Sequence, residues 1–174
     1  MVSFQVKGPF KIPRKADSPH VEANRNLGDF WQETKVGERI GCYAFGTRTS
    51  KGLIKIWYVG KTTNGFEQEC FQPHKREIYN DVLARHNHHG TPVMFFILPA
   101  QTNGQPPVAA IADLEIYLIQ TAKAANPESK NQKHAKRPQW VVRGVTRAVG
   151  QGEVTKAISN FRRALRLKPP VAKE

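Results

Sequence analysis

The sequence predicts an α/β fold, a compact β-β-α-β-α sandwich with helices flanking a small mixed or antiparallel sheet. Three observations predict it. Two short runs rich in β-branched and aromatic residues, 40–45 and 53–61, flank a polar loop of the kind an antiparallel hairpin needs. A third run, 91–98, is apolar enough to lie inside a sheet. Two stretches of helical period, 73–85 and 108–125, alternate with that third run.

Taken in order, residues 4–12 suit an edge strand that Pro9 and Pro13 keep short. Residues 14–26 are polar, carry Pro19 and are expected to wrap the surface, with Phe30 and Trp31 anchoring the arm to the body. The hairpin follows, with Gly46 to Gly52 as its loop and Ile54, Ile56, Trp57, Tyr58 and Val59 favouring the returning strand. Thr62-Thr63-Asn64-Gly65 breaks that strand, and 66–71 reads equally as loop or a single helical turn. Pro73 suits the first position of a helix, and His86-Asn87-His88-His89-Gly90 closes it. After the third strand comes a Pro/Gly/Asn loop, then the second helix, stopped by Asn126-Pro127. Beyond it stand a basic loop, a strand candidate at 140–145 and a last helix at 154–167. There Val154, Ala157, Ile158, Phe161, Ala164 and Leu165 recur at helical spacing, leaving Lys156, Arg162, Arg163 and Arg166 on the other side. The expected organisation is an N-terminal arm (1–39), a core (40–131) and a basic extension (132–174).

Charge narrows the function classes. The 174 residues carry a net charge of +13, and residues 121–174 hold 13 Lys/Arg against 3 Asp/Glu. A basic tail on a near-neutral body suits phosphate binding, because each cation meeting a phosphate releases counterions; an acidic protein or lipid surface is the other reading. The longest apolar stretch, 93–98, is too short to span a bilayer, and the first residues lack a signal-peptide core. Two cysteines, Cys42 and Cys70, give neither a disulfide framework nor a CxxC metal pair, so a cytoplasmic location is expected.

Glu115 is the sharpest candidate. At about 100° per residue it falls between Ile111, Leu118, Ala122 and Ile119, inside the apolar stripe of its helix. A carboxylate there requires a salt bridge, hydrogen bonds or a metal, and one oxygen ligand suits Mg²⁺, which keeps most of its waters. Lys75 projects inward from the other helix beside Ile78, Val82 and Leu83, with His74 and Arg76 at the edges of that sector. It could pair with Glu115, snorkel to water, or meet the same phosphate as Glu115. On the hairpin, Tyr43 shares a face with Gly41 and Phe45, and Tyr58 with Ile54, Ile56 and Gly60. The glycines would let a backbone phosphate approach closely. His86, His88 and His89 lie in a turn without a cysteine and make a poor metal site.

In this order and spacing, Gly41-Cys42-Tyr43 and Tyr58-Val59-Gly60-Lys61 resemble the two signature tripeptides of the GIY-YIG nuclease family. Leu114-Glu115 with Leu118-Ile119-Gln120 resembles its glutamate helix, and Asn126-Pro127 to Asn131 its closing asparagine segment. The likeness spans residues 40–131 and implies a divalent-metal-dependent endonuclease. Tyr43 would help activate a water, and Glu115 would hold Mg²⁺ (or Mn²⁺). Tyr58 and Lys61 would orient the phosphate, with Asn131 supporting the site. The family's helix arginine has no direct counterpart: an insertion at 63–73 intervenes, leaving His74, Lys75 and Arg76 as candidates. Lys75 would supply charge without the bidentate fork of arginine. DNA is the foremost expected substrate, gripped by Arg76, Arg162 and Arg163. The alternatives are a catalytically inactive nucleic-acid-binding module on this scaffold, and an interaction domain whose basic helix docks an acidic partner.

Overall fold

A computed structural model describes residues 2–85, 90–100 and 107–133 of the chain. The strand expected at 140–145 and the helix at 154–167, with Arg162 and Arg163, lie outside these described residues. Four strands form the sheet: β1 (Phe4–Lys11), β2 (Gly41–Arg48), β3 (Ile54–Thr62) and β4 (Thr91–Pro99), in the spatial order β1-β4-β2-β3. All three pairings are antiparallel, so the mixed alternative drops out. β3 and β4 run the same way, but β2 separates them, so the connection between them crosses one strand.

The described residues form α1 (Gly28–Thr34), α2 (Phe66–Glu69), α3 (Pro73–Arg85) and α4 (Val108–Ala125); α3 and α4 sit where the sequence pattern places them, whereas α1 was not expected and α2 resolves the ambiguous stretch at 66–71 as a helical turn. Lys35 closes α1 in the left-handed conformation, φ 53°, with its N–H on the Trp31 carbonyl. Asn126 ends α4, and Pro127 prevents its continuation.

One face of the sheet buries an aromatic core. Phe30 and Trp31 of α1, Phe66 and Phe71 around α2, and Tyr79 of α3 pack on Tyr43, Phe45 and Phe96. Phe45 and Tyr79 stack at 4.3 Å between ring centroids, and Phe66 lies 4.8 Å from Phe96. Removing a buried ring such as Phe66 should cost about 3–5 kcal/mol. The residues at 66–71 are therefore a packed element, even though their helix is only one turn long. The N-terminal arm is likewise part of the body: β1 extends the sheet beside β4, and Ile12, Val21, Leu27 and Val36 are buried in the same core.

α4 covers the opposite face. Ile111, Ile119 and Ala122 pack on Cys42, Ala44, Val59 and Ile97. A register shift between Phe45 and Gly46 makes Trp57 the extra residue of a β-bulge, since Phe45 pairs with Tyr58 but Gly46 pairs with Ile56. This corrects the expectation that Tyr58 shares its face with Ile54 and Ile56. The bulge restarts the alternation, so Ile56 packs with the α4 cluster while Tyr58 stays with Tyr43 and Phe45. Trp57 Nε1 donates to Thr47 Oγ1 at 2.9 Å, which satisfies the one polar atom of its buried indole.

The segment after α4 lies along β3. Asn126 Nδ2 donates to the Ile56 carbonyl at 2.8 Å and the Lys130 N–H to the Trp57 carbonyl at 2.7 Å. An otherwise open sheet edge is thereby covered.

Candidate active site

Register on β3 decides where the polar side chains go. Lys61 pairs with Cys42, so both side chains project toward α4; Gly60 pairs with Tyr43 and Tyr58 with Phe45, on the aromatic face. Glu115 stands one turn after Ile111 and one turn before Ile119, and meets Lys61 there. Lys61 Nζ donates to Glu115 Oε2 at 2.6 Å, with the two side chains 38% and 15% exposed. The inward placement of Glu115 agrees with the wheel, but its partner is Lys61, not Lys75. Burial pushes the neighbouring Cys42 thiol up to about 12; the Glu115 carboxylate adds to the rise and Lys61 opposes it. That thiol donates to the Ile111 carbonyl at 3.4 Å.

On the aromatic face, Lys75 Nζ donates to Tyr58 Oη at 2.6 Å and lies 3.4 Å from a Glu69 carboxylate oxygen. Burial pulls the Lys75 ammonium down, but the Tyr58 bond and the Glu69 charge outweigh it and hold it above its ordinary range. Tyr58 is half-buried and accepts this bond, so its O–H hydrogen remains free to turn toward an incoming oxygen. Glu69 is a residue that sequence reasoning missed. Its signal was position: it sits in the insertion ahead of Pro73, at the end of α2 and six residues before Lys75.

Tyr43 differs from its expected role. Its side chain is fully buried, its hydroxyl has no hydrogen-bond partner among the described residues, and burial drives its pKa far upward. A phenol so enclosed cannot reach a water at the surface. The glycines explain the enclosure. A Cβ on Gly60 would lie 2.5 Å from Tyr43 Oη, and one on Gly41 would lie 2.2 Å from the Ile97 carbonyl oxygen. The expectation that these glycines admit a phosphate is therefore corrected: Gly60 seats the Tyr43 ring, and Gly41, at φ 147°, lets β2 approach β4.

Asn131, expected to support the site, bonds the backbone of β3. Its Oδ1 accepts from the Val59 N–H at 2.9 Å and its Nδ2 donates to the Val59 carbonyl at 2.7 Å, both buried. The amide fixes β3 between Tyr58 and Gly60, which is support by backbone rather than contact with a reacting group. His74 is exposed on the first turn of α3, and Arg76 is half-buried with its Nε lacking an acceptor. Among the described contacts neither touches Tyr58, Lys61 or Glu115.

Of the predicted residues, Tyr58 and Lys75 meet on one face of β3, joined by Glu69, and Lys61 and Glu115 meet on the other, with Tyr58 and Lys61 three positions apart; Tyr43, His74, Arg76 and Asn131 belong to neither centre. Among the described residues no three His, Cys, Asp or Glu side chains converge. Among the described residues a divalent ion would rest on Glu115 alone; Oε2 is held by Lys61 and Oε1 meets no described donor, so one ligand position fits a cation otherwise bound by water and substrate phosphate. Among the described residues no helix is long and apolar enough to cross a membrane. Compared with family models, curated proteins and solved structures, the chain gives no match.

Proposed function

We propose that this chain is a divalent-metal-dependent endonuclease of the GIY-YIG kind, hydrolysing phosphodiester bonds in DNA from the end of β3. The observation that carries the reading is the pair of part-exposed, charge-supported centres flanking Gly60: Lys75 on Tyr58 at 2.6 Å, and Lys61 on Glu115 at 2.6 Å. A phosphate site needs both a cation and a group that handles protons, and the Lys75–Tyr58 pair brings the two together at a half-buried position. In this reading Lys75 faces a non-bridging oxygen of the scissile phosphate, and Tyr58, positioned by that ammonium, exchanges a proton with the attacking water. Glu115 would hold Mg²⁺ or Mn²⁺, which when bound would supply positive charge against the phosphoryl group and the leaving oxygen. Lys61 holds the carboxylate until phosphate arrives and then neutralises part of the added charge. Asn131 keeps Tyr58 and Lys61 at fixed separation through Val59.

A nucleic-acid-binding module without turnover is the second reading. It is favoured by the closure of Tyr43 and by Glu69, which already neutralises Lys75. Nicking of supercoiled plasmid separates the two. The endonuclease nicks with Mg²⁺ or Mn²⁺, stops with chelator, and loses at least about a hundredfold in rate on Glu115→Ala. Binding without nicking would leave the module; nicking that survives Glu115→Ala would remove Glu115 from the chemistry.

A further inference from the structure

Away from both centres, at the far end of the sheet, lies a cavity of about 410 Å³ lined by Lys11, Pro13, Arg14, Thr91 and Pro92. It carries two cations and a hydroxyl and no carboxylate. Arg14 donates through a terminal nitrogen to the Gly90 carbonyl, which anchors the guanidinium, and its Nε is a buried donor with no acceptor among the described residues. The Nε itself is enclosed by protein, so what Arg14 brings to the cavity wall is the positive charge of its guanidinium. Arg48 stands in register opposite Thr91, adding a third cation at the same end of the sheet. Guanidinium, ammonium and hydroxyl together suit a tetrahedral oxyanion far better than an apolar or cationic ligand.

We infer that this cavity is a phosphate subsite, formed by Arg14, Lys11 and Thr91, that takes a backbone phosphate of the nucleic acid at a distance from the cleavage centre. The inference rests on the proposed function for the identity of the ligand, and on the cavity alone for its phosphate chemistry. Along β2, Cys42, beside Lys61, and Arg48, beside Thr91, are six residue steps apart, which is about 20 Å of strand. That span matches about six steps of a B-form backbone at about 3.4 Å each. One chain could therefore hold a duplex at two points and fix the position of the cut along it.

The test is an amide-resolved NMR titration of the full chain in chelator at low salt, first with inorganic phosphate and then with a short DNA duplex. Saturable shifts at Lys11, Arg14 and Thr91 are expected with both probes, and Lys11→Gln should weaken binding about fivefold while Lys15→Gln, outside the cavity, does not. Lys11 is exposed, so its substitution should leave the fold intact. Shifts that never saturate, an equal loss from Lys15→Gln, or a duplex that leaves these amides unmoved would each overturn the subsite. Nicking by the same preparation keeps the two readings apart. A failed subsite with cleavage intact leaves the endonuclease standing; a saturable subsite without cleavage leaves only the phosphate site.

Discussion

Two buried phenols in the same aromatic core should respond with opposite signs when their hydroxyls are removed. Tyr79 Oη donates to the Cys70 carbonyl at 2.9 Å, whereas Tyr43 Oη has no partner, and both side chains are fully buried. In Tyr79→Phe the lost bond leaves a buried carbonyl unpaired, so unfolding should become easier by about 1–2 kcal/mol. In Tyr43→Phe nothing is lost but the burial of an unsatisfied hydroxyl, worth about 1–3 kcal/mol on the same scale, and the ring still packs against Gly60 and Phe66. Tyr43→Phe should therefore be neutral to about 1–2 kcal/mol more stable, raising Tm by about 2–4 °C per kcal/mol for a chain of this size. Urea unfolding followed by fluorescence reads both variants: midpoints should move apart while the slopes stay equal. A Tyr43→Phe protein destabilised as much as Tyr79→Phe would mean that the Tyr43 hydroxyl is satisfied, and would refute the enclosure of that phenol.

Other predictions concern the supports around the two centres. Asn131→Ala should cost about 2–4 kcal/mol, because it strands the buried Val59 N–H and carbonyl together, and hydrogen exchange at the Val59 amide should accelerate. Burial raises the Cys42 thiol from an ordinary value of 9.0 to about 12, so the unfolded chain sheds this proton first. Stability from this group is complete below about pH 9 and declines as pH rises toward 12. Urea midpoints at pH 8 and pH 10.5 should therefore converge in Cys42→Ala relative to the parent; an unchanged alkaline decline would contradict it. Glu69→Gln frees Lys75 of its neighbouring carboxylate, and fluorescence anisotropy should show DNA affinity rising about two- to fivefold at low salt, with a smaller gain at high salt.

Much of the fold was legible because its signals are local. The hairpin, β4 and both long helices follow from β-branched runs, Pro73 and the Asn126-Pro127 stop, which act within a few residues. Asn131 was singled out only through the family resemblance; its bonds to the Val59 backbone depend on where the segment after α4 lies along β3, which no local signal gives. What escaped was set by register. The bulge at Trp57 reverses the alternation for Ile56, and no composition rule marks it. The Cys42–Lys61 pairing sends Lys61 to α4 and so gives Glu115 its partner, while Lys75 finds Tyr58 and Glu69 instead. The role of Gly60 was equally non-local, because a glycine that seats a tyrosine across the hairpin looks in sequence like one that admits a ligand. The short α2 was ambiguous since four residues carry no helical period; packing of Phe66 and Phe71 decides it.

The central claim is that the centres on the two faces of β3 act on a single phosphate. A double-mutant cycle on the single-turnover rate of metal-dependent DNA cleavage, with Tyr58→Phe, Glu115→Gln and the combined protein, tests it most directly. Residues serving one transition state should be non-additive, the combined protein being little slower than the worse single variant. Losses that simply multiply, or cleavage indifferent to either substitution, would contradict the claim and divide β3 into two unrelated sites.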